Sequence, residues 1–172
     1  MATKKPENKY IDRLKRLLPS PPVPRVIVGP DGAPVWEKPN DALPRLYYMK
    51  NNNPYIAGIF DSWFSGEAGD CWIEFKYEPV MPVRRILVPD LSPLQVAWGR
   101  GRHHEGRNVF VVVGHESSGL LLTEPDDWTK AFAPEEFRSR LIPNSEIADY
   151  IMQQCLKEDT RRAFTNSRGK KK

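Results

Sequence analysis

Apolar residues Tyr10, Ile11, Leu14, Leu17 and Leu18 recur at helical spacing with charges between them, which predicts an N-terminal helix over residues 1–18. "PSPPVP" stops it, since proline cannot continue a helix. Residues 19–44 are rich in proline and read as an extended arm, with a hairpin around "GPDG" at 29–32. Short apolar runs then predict strands at 45–50, at 55–64 ("YIAGIFDSWF") and at 71–77 ("CWIEFKY"), the last two joined by the turn "SGEAGD". "RRILVPD", 84–90, is a short strand or an extended lead-in. "SPLQVAWGRGRHHEG" opens a helix with Ser92 as N-cap and Pro93 at the first position, and Gly99 and Gly101 weaken its far end. "NVFVVVG", 108–114, is a continuous apolar run, as expected of a strand buried on both faces, and "GLLLT" is its hairpin partner. "NSEIADYIMQQCLKE", 144–158, reads as a helix capped by Ser145. The expected fold class is α/β: a mixed sheet flanked by helices, with a core over 45–160 and a disordered basic tail over 161–172.

Side chains alternate faces along a strand. In "CWIEFKY", Cys71, Ile73, Phe75 and Tyr77 form a core face, while Trp72, Glu74 and Lys76 share the other. That places a carboxylate and an ammonium about 7 Å apart along the strand. The pattern E-x-K by itself is uninformative, for it also occurs at Glu7-Asn8-Lys9. Only the second copy lies on a strand, and only there does an aspartate, Asp61, stand thirteen positions earlier at the end of the preceding strand. A hairpin can set Asp61 beside Glu74. The plainer alternative is an exposed charge pair contributing a few tenths of a kcal/mol. Glu67 and Asp70 are rival acids in the presumed turn.

Charge sharpens the picture. The chain of 172 residues carries a net +4, but residues 1–16 hold +4 and residues 161–172 hold +6, which leaves −6 for residues 17–160. Basic ends suit a polyanion such as nucleic acid. Arg84, Arg85, Arg100, Arg102 and Arg107 cluster around the central helix and form a candidate phosphate track, the alternative being solvated arginines at a helix end and in a loop. Trp63 and Trp72 flank the acids and either stack on a base or pack under a helix. No run approaches the ~18 apolar residues of a membrane span. Cys71 and Cys155 lack zinc-site spacing and read as reduced thiols of a cytoplasmic protein. The glycines follow neither phosphate-loop nor dinucleotide patterns, so no nucleotide cofactor is expected.

Asp61, the hairpin and Glu74-x-Lys76, followed by "LSPLQVAW" and "VFVVVG", resemble the PD-(D/E)XK nuclease superfamily over roughly residues 45–114 plus the first helix. Within it, the Ser-x-x-Gln helix start followed by an apolar strand is similar to the VRR-NUC and Holliday-junction-resolvase branch, as in phage-type nucleases. Phe60 stands where that motif commonly has proline. The resemblance implies a restriction-endonuclease-like fold and Mg²⁺-dependent hydrolysis of DNA phosphodiester bonds, with Mn²⁺ as substitute. It implies a structure-selective endonuclease, with junction resolution and a homodimer among its forms. Asp61 and Glu74 would be metal ligands, with the Phe75 carbonyl as a third oxygen. Lys76 would orient the attacking water or balance phosphate charge, Gln95 would fix water or phosphate, and Glu7 would be the helical acid near the metal. A DNA-binding or assembly module of the same fold with an idle site is the alternative.

Overall fold

The computed structural model describes residues 5–19, 25–37, 46–51 and 56–169. Helix α1 spans Pro6–Lys15, with Pro6 at its first turn and Tyr10, Ile11 and Leu14 buried. The expected hairpin is present: β1 (Arg25–Val28) pairs antiparallel with β2 (Pro34–Glu37) around Gly29–Gly32. The rest of the proline-rich arm, 20–24 and 38–45, lies outside the described residues.

The main sheet runs β3 (Tyr47–Lys50), β4 (Ser62–Ser65), β5 (Asp70–Tyr77), β6 (Val109–His115), β7 (Ser118–Leu122), β8 (Ile142–Pro143), in that spatial order. β5 and β6 are parallel and every other neighbouring pair is antiparallel. The parallel pair requires a crossover, and helix α2 (Pro93–His104) supplies it. All seven residues of β6 are buried, as its unbroken apolar run predicts for a strand covered on both faces. One core packs α1 and helix α4 (Asn144–Cys155) against Cys71, Ile73, Phe75, Phe110 and Val112. The other sets Phe60, Trp98 and Trp128 over Val109, Val111 and Val113, beneath α2, a 3-10 turn (Asp127–Thr129) and helix α3 (Pro134–Ser139). The fold is therefore a mixed α/β sheet flanked by helices, as expected.

Tyr10 explains how α1 is held. Its ring lies against Gly114 and its hydroxyl against Gly119, where a Cβ would come within 2.6 Å of the ring and 2.5 Å of the hydroxyl. Its hydroxyl donates to Asn144 Oδ1 at 2.8 Å, so one side chain ties α1 to β6, β7 and α4.

Several expectations need correction. Of the strand foreseen over 55–64, residue 55 lies outside the described residues and the strand begins only at Ser62, so Asp61 immediately precedes β4 rather than ending a strand. Gly58, at φ 90°, turns the chain there and packs against the Leu94 backbone. Of the two alternatives for residues 84–90 the structure has the extended lead-in, with a single bridge from Leu87 to Phe132. Ser145 does not cap α4: Pro143, paired with Ser118 in β8, occupies that position. The tail expected to be disordered continues through Gly169 as helix α5 (Glu158–Gly169), whose Phe164 packs on the first core and whose Glu158 and Arg162 form an i,i+4 pair. Residues 170–172 lie outside the described residues. Cys71 and Cys155 are free, buried, and 3.7 Å apart at sulfur. No helix among the described residues is long and apolar enough to cross a membrane.

Candidate active site

Strand alternation puts Glu74 and Lys76 on the face covered by α2, opposite the one that packs on α1 and α4. Ser62 lies opposite Ile73, so the register brings Asp61 opposite Glu74. The Asp61 N–H donates to Glu74 Oε2 at 3.2 Å. Glu74 Oε1 receives the Gln95 side-chain amide at 2.6 Å and the Lys76 ammonium at 3.0 Å. Glu74 is 3% exposed. Burial pushes its carboxyl up to about 6, and the Asp61 charge adds to this while Lys76 opposes it.

Asp61 is raised above the usual carboxylate range for the same reason, desolvation, against the pull of Ser62, Lys50, Lys76 and the Phe75 N–H. The Ser62 hydroxyl donates to Asp61 Oδ1 at 2.9 Å. Lys50 Nζ donates to Asn8 Oδ1 at 2.8 Å and lies 3.9 Å from Asp61 Oδ2. Glu7 reaches the same place from α1. Its carboxyl is raised chiefly by burial and then by Asp61, with Lys76 and Lys50 opposing. Five residues singled out in the sequence, Glu7, Asp61, Glu74, Lys76 and Gln95, thus share one electrostatic neighbourhood drawn from α1, β4, β5 and α2.

The oxygen donors suit a hard divalent cation. Trp72 and Glu78 direct their N–H groups across to β6, so alternation turns the amide and carbonyl of Phe75 the other way, toward β4 and Asp61. A buried carboxylate, Glu74, and a half-buried one, Asp61, both raised by desolvation, would be relieved by a cation, and an oxygen-only set of this kind fits Mg²⁺ or Mn²⁺. Among the described residues, no three His, Cys, Asp or Glu side chains converge as a metal cage. A divalent ion bound here would draw on two carboxylates and main-chain oxygen.

The arginines divide. Arg85 pairs with Glu78 on the loop after β5. Arg100 faces Asp126 at 3.8 Å and Arg102 pairs with Glu105 at 2.9 Å, on the later turns of α2 and away from Gln95. Arg84 and Arg107 are exposed. The rival acids are engaged elsewhere: Asp70 Oδ2 accepts the Trp63 indole N–H at 3.0 Å, and Glu67 bonds Lys157 and Thr160 at the start of α5. Lys50, Asn8 and Ser62 join the site without a motif to mark them in the sequence. The signal for Lys50 was its place at the end of "YYMK", whose register with Ser62 carries it to the Asp61 end of the sheet.

No protein-family model matches the chain, and no curated protein does. Among solved structures, the chain is similar to Hjc, a Holliday junction resolvase from Archaeoglobus fulgidus. The two share 13% identity over 62% of this chain and 87% of the other, with a TM-score of 0.39.

Proposed function

We propose that this protein is a metal-dependent nuclease that hydrolyses DNA phosphodiester bonds, acting as a structure-selective endonuclease. The observation that carries this reading is the meeting of Asp61, Glu74 and Lys76 at one end of an antiparallel strand pair, with both carboxylates desolvated. Asp61 and Glu74 would hold Mg²⁺ or Mn²⁺, with the Phe75 carbonyl as a further oxygen. When bound, such an ion supplies Lewis-acid activation of water and neutralises charge at the phosphate. Lys76, kept beside Glu74 by their ion pair, would present its ammonium to the attacking water or to a phosphate oxygen. Gln95 would hold the Glu74 carboxylate in one orientation. Glu7, with its raised carboxyl pKa, would take up a proton near the site. Lys50 would restrain Asp61 and add positive charge where the phosphate approaches.

One observation favours the idle-module alternative: both Glu74 oxygens already accept protein hydrogen bonds. Cleavage of labelled linear duplex, single-stranded and four-way-junction DNA, with Mg²⁺, Mn²⁺ or EDTA, separates the readings. Metal-dependent cleavage by the wild type and none by Glu74→Ala is the expected result. DNA binding without cleavage of any substrate would assign the idle module instead.

A further inference from the structure

The face of the sheet that carries Glu74 holds a second ordered feature. Met49 lies directly opposite Trp63, and Trp63 directly opposite Trp72, forming one row across β3, β4 and β5. The next row on that face, two residues along each strand, is Asp61 with Glu74. The offset is about 7 Å from the strand rise, close to two ~3.4 Å base steps of stacked DNA. At its inner end the row is walled by Trp98 of α2, whose ring meets Trp72 edge-on at 5.5 Å. At its outer end Met49 remains 48% exposed, and Tyr47 beside it 49%. The Trp63 indole is tied down by its bond to Asp70, so its plane is set before any ligand arrives.

A row of two half-buried tryptophans opening onto an exposed Met49 is suited to the flat face of a base, and stacking of this kind is tolerant of sequence. Bases in an intact duplex have both faces occupied by their neighbours. Lys50 and Lys76 stand at the carboxylate end of the row, where the attached phosphates would lie. We propose that Met49, Trp63 and Trp72 form a stacking platform for an unpaired base next to the scissile phosphate. The preferred substrate is then DNA in which a strand leaves the duplex: a flap, a single-stranded end or an opened branch. This inference rests on the nuclease reading and specifies its substrate class.

The test measures binding in EDTA, apart from cleavage. A fluorescein-labelled oligothymidine and a duplex of the same length are titrated with wild type, Trp63→Ala, Trp63→Phe and Met49→Glu. Trp63→Ala should weaken oligothymidine binding about tenfold, the size of one base–aromatic stack, and leave duplex binding unchanged. Trp63→Phe should restore most of the loss. Met49→Glu, at an exposed position, should weaken oligothymidine binding even if Trp63→Ala proves unfolded. Equal losses on both DNAs, or none, would overturn the platform while leaving metal-dependent cleavage intact as evidence for the nuclease. Trp63-dependent oligothymidine binding without metal-dependent cleavage would keep the platform and reject the nuclease. A face that ignores oligothymidine but self-associates, with Trp63→Ala abolishing the larger species, would be a protein interface and would also overturn the proposal.

Discussion

Gln95 holds Glu74 from inside a helix cap. Its side-chain oxygen accepts the Ser92 N–H at 2.9 Å, while Ser92 Oγ accepts the Gln95 N–H at 3.2 Å, which completes a capping box. The oxygen of the amide is thereby committed to the cap, so its NH₂ must face the carboxylate of Glu74, 2.6 Å away. Local helix chemistry thus fixes the orientation of a buried acid.

Two substitutions separate the cap from the clamp. Gln95→Glu keeps an acceptor for Ser92 but sets an oxygen against Glu74. It should retain helix α2 and abolish cleavage. Gln95→Ala loses the reciprocal cap bond and the clamp, and should lower stability by about 1 kcal/mol with partial loss of activity. Urea unfolding and initial cleavage rates distinguish the two.

The carboxyls of Glu74, Asp61 and Glu7 are all raised, so the folded protein binds more protons than the unfolded chain across their titration. In EDTA their contribution is most favourable below about pH 4.5, the ordinary value for Glu, and is lost as pH rises through about 6 for Glu74. For Glu74 alone this amounts to about 2 kcal/mol. Saturating Mg²⁺ should oppose that loss, because metal binding favours the ionised acids. Unfolding free energies at pH 5 and pH 7, with and without Mg²⁺, provide the measurement. Identical pH slopes would mean that these acids hold no metal.

Lys76→Ala removes the ammonium 3.0 Å from Glu74 Oε1. The cation that competes with a metal for that oxygen disappears, so Mn²⁺ should bind at least as tightly by calorimetry. Cleavage should nevertheless fall by a factor on the order of 10² to 10³, as for other groups that act on the transition state. Loss of Mn²⁺ binding would instead make Lys76 a structural brace.

Two glycines of α2 should respond oppositely to alanine. At Gly99 a Cβ would come within 2.6 Å of the Trp128 ring and 2.7 Å of Phe60, so Gly99→Ala should cost about 1–3 kcal/mol through overpacking. At Gly101 a Cβ meets nothing within 4 Å, so Gly101→Ala should stabilise by about 0.5–1 kcal/mol through helix propensity. Thermal midpoints of the two variants check the sign of each.

This contrast marks where the sequence was legible. Periodicity marks α1, β5, β6 and β7 because each buries one regular stripe or one continuous run, whereas α2 is legible from its Ser92 cap and Pro93 start. Gly99 and Gly101 look alike in the sequence, since nothing local distinguishes a glycine under two aromatic rings from one in open space. The apolar run before Ser62 suggests a longer β4, but a positive φ at Gly58, packed on Leu94, ends any strand there. Residues 124–143 gave no periodic signal, and there the 3-10 turn, α3 and β8 are held by long-range contacts such as Leu87 with Phe132. In the site, Glu74, Lys76 and Gln95 announced themselves through residue type and spacing. Lys50 and Asn8 did not, because their meeting depends on β3 register and on the docking of α1.

That docking has a consequence for the order of events during synthesis. Tyr10 closes onto Gly114, Gly119 and Asn144, the last 134 positions downstream. The groove that receives its ring does not exist until β6, β7 and the start of α4 have been made and paired. α1 is made before all of them and is therefore seated only after they form, and Glu7 and Asn8 join Asp61 only when it is. In a nascent chain Glu7 stays apart from the hairpin that pairs Asp61 with Glu74, and the site closes only after α4 has begun to form.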